Sequence, residues 1–236
     1  FDLSLFFEPN QYDWQAKENE IAIKTADAKI LIVQGENGER LLHLKTKKQV
    51  HTYINRDYLP LLNEKYKTNF EWGKLFNELF KPTSKLEAQI NFHLAKINSS
   101  YIACVFRFQS LLGDFTEYDF PTLPSDKQQD LINICAKSLL ALKNNHKLPV
   151  LVTSDSSTFL SYVSTLENIF TLSGKVVHLD CTDNADENVY MKSFIDFMML
   201  SKADKIYSIV TGQMYPSEFP LYAAKVNNIP FERITV

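Results

Sequence analysis

From Tyr101 to Val236, short apolar runs of strand type alternate with helical patterns, and this alternation constrains the fold more than any other feature of the chain. The runs are Tyr101–Phe106, Val150–Val152, Val176–Leu179, Ile206–Val210 and Phe231–Thr235. Most are apolar along their length rather than at every second position, as expected of strands covered on both faces. Between them, Asp126–Asn145 carries Leu131, Ile134, Leu139 and Leu142 at helical spacing. Further helices are expected from Ser156 or Ser157 to about Leu172, closed by Gly174, then around Val189–Ser201 and over Pro216–Asn227. Strands separated by helices pair in parallel through crossovers, so the fold class is α/β with a doubly wound, Rossmann-like parallel sheet.

The opening third is less regular. Ile21–Lys24, Ile30–Val33 and Leu41–Leu44 read as short strands around the turn residues Gly35–Gly38, and Val50–Ile54 as a further extended run. Two short helical patterns follow, Tyr58–Tyr66 and Glu71–Phe80. Pro82-Thr-Ser then interrupts the chain. Ser84 is placed to cap a helix bearing Leu86, Ile90, Leu94 and Ile97, with Glu87 three residues on. The division is therefore expected at Ser84, between a small mixed α/β region, residues 1–83, and a ligand-binding domain, residues 84–236.

In open parallel sheets, ligands bind beyond the carboxyl ends of the strands. Here those positions are polar: Arg107 and Gln109, Thr153–Ser157, Asp180–Asp183, and Thr211-Gly-Gln213. Arg107 carries a permanent charge at the end of a buried strand. Its planar fork suits a phosphate, and equally a salt bridge to Asp114 or Asp155. Thr153–Ser157 ends a strand and starts a helix, a place for a phosphate or for simple capping by Asp155 or Ser156. Asp196 stands in the apolar helix Phe194–Leu200, where a partly buried carboxylate needs compensation from a neighbouring element or from the donor edge of a base such as guanine.

Other chemistries lack their anchors. The formal net charge of -3 supplies no pervasive positive field for nucleic acid. His93, His146 and His178 lie far apart without metal-ligand spacing, so no metal is expected. No Walker loop, G-x-G-x-x-G or G-x-S-x-G occurs. Cys104, Cys135 and Cys181, without C-x-x-C spacing, suggest buried, reduced thiols and a cytoplasmic location. No run approaches the roughly 18 to 20 apolar residues of a membrane span, and no signal-peptide pattern opens the chain. It opens on Phe1 rather than Met, so a preceding segment is expected to have been removed or left out.

Taken in order, three segments resemble the alpha-1,6 and protein O-fucosyltransferase superfamily. Ile102-Ala-Cys-Val-Phe-Arg107 is similar to that family's strand ending in arginine, usually written H-x-R, with Val105 at the histidine position and Phe108-Gln-Ser110 following. Val150-Leu-Val-Thr-Ser-Asp155 is similar to its strand ending in Ser-Asp or Thr-Asp. The stretch from Phe194 to Gln213 is similar to its Asp-containing helix, L-S-x-A-D turn, strand and Ser/Thr-rich loop. Ser217-Glu-Phe219 and Tyr222-Ala-Ala224 resemble its S-x-F…A-A ending, offset by the insertion Met214-Tyr-Pro216.

The resemblance implies half of a GT-B architecture and transfer of a sugar, from a nucleotide sugar such as GDP-fucose, to a glycan acceptor in polysaccharide biosynthesis. No metal or other cofactor is implied. Arg107 would be catalytic, binding the donor pyrophosphate and stabilising the departing GDP. Asp155 would shape the nucleotide pocket and Asp196 would meet the guanine edge. Thr211 and Ser217 are candidates for the hydroxyl that meets the phosphates, with Phe219 lining the pocket. Two other readings stand beside this one: a catalytically inactive glycan- or protein-binding domain that retains the fold, and a different nucleotide-handling α/β enzyme.

Overall fold

A computed structural model describes residues 2–17, 20–22, 24, 26–33, 39–54, 57–114, 121–174 and 187–236. It divides into a larger unit, Phe1–Glu8 with Lys81–Val236, and a smaller one, Pro9–Phe80. In the larger unit, a 3-10 turn at Leu3–Leu5 leads to strand β1 (Phe7–Pro9). Phe6 and Phe7 are buried there, and both rings meet Phe194: Phe6 stacks at 4.3 Å and Phe7 packs edge-on at 5.6 Å. This aromatic burial ties the N-terminal residues to the C-terminal part of the chain, a long-range contact that local sequence pattern does not reveal.

The smaller unit holds strands β2 (Ala28–Val33) and β3 (Gln49–Ile54), paired in parallel from Ala28↔Gln49 to Val33↔Ile54. Helices α1 (Leu59–Tyr66) and α2 (Trp72–Leu79) follow as the sequence predicts. Two expected strands do not form. Ile21 and Lys24 lie in bends, and Glu39–Leu41 is a 3-10 turn continued by a turn at Leu42 and His43. The Glu39 carboxylate holds that turn by accepting from Tyr66 Oη at 2.7 Å and meeting His43 Nε2 at 3.1 Å. The expected turn at Gly35–Gly38 lies outside the described residues. Trp14 donates to the Leu79 carbonyl at 2.9 Å, and its ring meets Phe80 at 5.3 Å.

Strand β4 (Phe80–Pro82) pairs with β1, and helix α3 (Ser84–Ile97) follows. Thr83 is the cap of α3: its hydroxyl accepts from Leu86 N at 3.4 Å, so Ser84 is the first helical residue. Glu87 therefore stands one position beyond where a capping box needs it.

The main sheet comprises β5 (Ile102–Phe106), β6 (Val150–Ser154), β7 (Ile169–Thr171), β8 (Lys205–Val210) and β9 (Phe231–Thr235). Helices α4 (Ser125–His146), α5 (Ser157–Val163), α6 (Glu187–Leu200) and α7 (Phe219–Val226) connect them. All neighbouring strands are parallel, in the order β7-β6-β5-β8-β9. Every residue of β5 and β6 is buried. On one face, Ile102, Cys104, Phe106, Val150, Val152 and Ile209 pack with Leu131, Cys135 and Leu139 of α4 and with Phe159 and Val163 of α5. The alternating positions, Ala103, Val105, Leu151, Thr153, Ile206 and Ser208, form the other face. Helices α3, α6 and α7 pack in succession, with α7 resting on β8. Truncating a sealed residue such as Leu139 to Ala should cost about 2–5 kcal/mol.

The third strand differs from expectation. Helix α5 stops at Val163 rather than near Leu172, and a turn through Asn168, which has φ of 57°, delivers β7 to pair with β6. The expected strand Val176–Leu179, the polar stretch Asp180–Asp183 and Cys181 lie outside the described residues. The sheet grows outward from β5 through β6 to β7, then crosses to β8 and β9. Strand order thus reverses between β5 and β8, which is where such a sheet opens a crevice at its carboxyl edge.

Candidate functional site

Arg107 follows the last residue of β5, at the carboxyl edge and beside the reversal. One of its terminal nitrogens, Nη1, lies 3.1 Å from Asp155 Oδ2, just past the end of the neighbouring strand β6. The Asp155 side chain is 2% exposed, but that of Arg107 remains 18% exposed. Asp155 also accepts from the backbone N–H of Phe108 at 2.8 Å and of Gln109 at 2.7 Å. One carboxylate therefore fixes both the guanidinium and the turn that carries it. Burial raises the Asp155 pKa above the ordinary carboxylate range, while Arg107 and the two amides act against that rise. Of the two salt-bridge partners open to Arg107 in the sequence, Asp155 is the one it meets.

Asp114 serves the next element instead. Its Oδ2 accepts from Ser156 Oγ at 2.9 Å, Ser157 Oγ at 3.0 Å and Thr158 N at 2.6 Å. Ser156 Oγ in turn accepts from Phe159 N at 3.0 Å. The first turn of α5 is thus met by protein oxygens, which is the capping alternative for Thr153–Ser157. The cap is Ser156 rather than Asp155.

Three further polar side chains near these strand ends are buried: Gln109 is 4% exposed, Thr153 3% and Ser208 2%. None makes a side-chain hydrogen bond to a described residue. Thr153 and Ser208 both register with Val105, on β6 and β8 respectively, so they share a face on either side of the central strand. Gln109 holds a left-handed backbone with φ of 53°, uncommon for a residue with a side chain.

Asp196 occupies the middle of α6 and is buried. Both carboxylate oxygens accept from Lys192 Nζ, at 2.8 and 2.6 Å, one helical turn earlier. The compensation this residue requires is present within its own helix. Burial raises the Asp196 pKa, with Lys192 opposing. The backbone at Gly174 lies on the Lys192 stem, where an added Cβ would come within 3.1 Å of Cδ. His93 of α3 is also buried; burial foremost, then Lys96 and Lys192, lowers its pKa.

Thr211 follows β8 directly, across the reversal from Arg107. Its backbone carbonyl accepts from Met214 N at 3.1 Å, and Met214 packs against Cys135, sulfur to sulfur at 3.7 Å. Ser217 precedes α7: its hydroxyl accepts from Phe219 N at 3.2 Å and its carbonyl from Arg233 Nη2 at 2.9 Å. Phe219 is exposed at the start of α7 and meets Phe197 of α6 edge-on at 5.4 Å. The fold therefore joins Arg107 directly to Asp155, sets Thr211 at the same sheet edge, and places Ser217 and Phe219 at the start of α7. Asp196 belongs to a separate pair. Lys192 was not singled out in the sequence, although its spacing of four from Asp196 in an apolar helix is a legible signal.

Among the described residues, no three His, Cys, Asp or Glu side chains gather where they could hold a metal ion. None of the described helices is long and apolar enough to cross a membrane.

No protein-family model matches the sequence, and no curated protein does. Solved structures do match. NodZ alpha-1,6-fucosyltransferase, known from Bradyrhizobium, co-crystallized with GDP, is 14% identical, over 93% of this chain and 74% of that one, with a TM-score of 0.52. The NodZ structure soaked with GDP-fucose is 13% identical over 95% and 75%, with a TM-score of 0.53. A mutant of Arabidopsis thaliana FUT1 in complex with GDP is 14% identical over 89% of this chain and 50% of that one, with a TM-score of 0.50. The chain shares the fold of these proteins, including the Rossmann-like parallel sheet of a GT-B half.

Proposed function

We propose that the protein is a fucosyltransferase-like glycosyltransferase that moves a sugar from a nucleotide-sugar donor, GDP-fucose, to a glycan acceptor. One observation carries the reading: a guanidinium at the end of the central strand, beside the strand-order reversal, anchored by a buried carboxylate yet still partly open to solvent. A fixed cation in that place can donate N–H bonds to a diphosphate and stabilise the charge that develops as GDP departs. That stabilisation needs no metal and no other cofactor. Asp155 holds the arginine in position. Thr211 and Ser217 are assigned to the phosphates, and Phe219 to the pocket wall.

Asp196 is assigned to the guanine edge, whose donors would share the carboxylate with Lys192. The NodZ structures co-crystallized with GDP and soaked with GDP-fucose motivate the choice of donor. Buried, unpaired Cys104 and Cys135 fit a reducing compartment such as the cytoplasm.

Calorimetric titration with GDP and GDP-fucose tests the proposal. A ligand at one hundred times its Kd should stabilise the fold by about 2.7 kcal/mol. Arg107→Ala should abolish binding, and Arg107→Lys, which keeps the charge and loses the fork, should weaken it by about tenfold. Absence of both heat and thermal stabilisation with millimolar GDP, UDP and their sugars would overturn the assignment. The compensation of Arg107 by Asp155 favours one competing reading, a domain that binds glycans without nucleotide. On that reading, glycan binding survives Arg107→Ala.

A further inference from the structure

Gln109, Thr153 and Ser208 are each more than nine-tenths buried, and none has a side-chain partner among the described residues. The one polar side-chain atom among the described residues that is both sealed and unpartnered is Tyr58 Oη. The polar atoms of the other three are not in that sealed state, although the residues carrying them are enclosed. Their positions are related. Thr153 and Ser208 flank Val105 in register on one face of the sheet, and Gln109 follows the same central strand, its N–H held by Asp155. They carry no charge, and each side chain both donates and accepts hydrogen bonds.

We infer that Gln109, Thr153 and Ser208 hold the hydroxyl-bearing part of the ligand, a sugar ring or ribose with neighbouring hydroxyls. The inference rests on the nucleotide-sugar reading and extends it to the neutral portion of the donor. A phosphate offers acceptors alone and calls for cations or N–H donors, which Arg107 supplies. A sugar hydroxyl donates and accepts at one atom, as a hydroxyl or carboxamide does, so either side can complete the other. Val105 between the two hydroxyls gives an apolar position of the kind that suits sugar C–H groups. Groups left without a partner among the described residues, near the carboxyl ends of parallel strands, are those a ligand can satisfy.

The test uses the whole chain with Thr153→Val, Gln109→Met and Ser208→Ala, titrated with GDP-fucose, GDP and free monosaccharides, together with thermal melts of the unliganded proteins. Each substitution should weaken GDP-fucose about tenfold, the loss of one neutral hydrogen bond. Because the replaced groups lack side-chain partners among the described residues, the unliganded melting temperature should hold or rise by about 2–4 °C. Weakening confined to GDP-fucose assigns the transferred sugar, and equal weakening of GDP assigns the ribose. Wild-type affinity for nucleotide in all three variants overturns the inference and leaves the donor reading intact, as does a melting temperature lowered by several degrees without weaker binding. If the wild type binds no nucleotide, the donor reading fails and free monosaccharides decide: binding weakened by these substitutions sustains the inference, and its absence overturns it.

Discussion

Arg107 with Asp155 joins the ends of two neighbouring strands, whereas Lys192 with Asp196 closes one turn of a single helix. In the first pair the acid is sealed and the cation reaches solvent. In the second pair both partners are buried. The acid of the first also holds two backbone amides of the following turn, while that of the second receives both its charged contacts from one ammonium. The contrast separates two uses of the same chemistry. A pair that spans strands and leaves its cation partly exposed can present charge to a ligand, whereas a pair within one helix has to divide its carboxylate between the ammonium and any ligand it meets.

The largest expected effect is at the strand-end pair. Asp155→Ala removes one counter-charge of Arg107 and orphans two backbone donors, so it should lower unfolding free energy by about 4–5 kcal/mol in urea titrations. A loss below about 1 kcal/mol would erase the distinction between the pairs. Next comes Lys192→Met, which strands a buried carboxylate and should cost about 3 kcal/mol at pH 7. Burial already raises the Asp196 pKa, so the native state holds that proton more tightly than the unfolded chain does, and stability falls as pH rises from the ordinary carboxylate range through the native value. Without Lys192 to oppose it, that fall should steepen, leaving the variant closer to wild type near pH 4. Replacing both partners, Lys192→Met with Asp196→Leu, should restore most of the stability.

Smaller effects test the surroundings. Asp114→Ala removes three hydrogen bonds from the start of α5 and should cost about 1 kcal/mol, read from the same titrations. The smallest concerns His93, whose depressed pKa means that the unfolded chain takes up its proton first as the solution is acidified. Stability should be complete above about pH 6.5 and decline as pH falls toward the native value. Melting curves of His93→Gln should show a shallower decline over that interval, and an unchanged decline would remove His93 from the account.

Much of the larger unit was legible because its strands are apolar without interruption and its helices keep their spacing. Asp126–Asn145 predicted α4 to within a residue at each end. Strand β7 escaped because Ile169–Thr171 is too short to show a period, while Phe170 and Leu172 also suit a helix continuing from Val163. At the site, Arg107 and Asp155 were legible as strand-end residues, and their pairing was open among alternatives. The exchange of roles between Asp114 and Asp155 was not, because it depends on how two loops distant in sequence meet. The unpartnered state of Gln109 was equally hidden, since a glutamine shows its hydrogen bonds only in three dimensions. In the smaller unit, weak local patterns gave two strands that the chain does not form.

The parallel sheet has a consequence for biosynthesis. Strand β5 is central, yet its second neighbour, β8, begins only at Lys205. While the chain emerges from the ribosome, one edge of an apolar five-residue segment, Ile-Ala-Cys-Val-Phe, stays open until synthesis has passed Lys205. Nascent chains are therefore exposed to wrong edge-to-edge pairing over the interval between the two strands, so shielding by chaperones and the elongation rate should govern the yield of native protein.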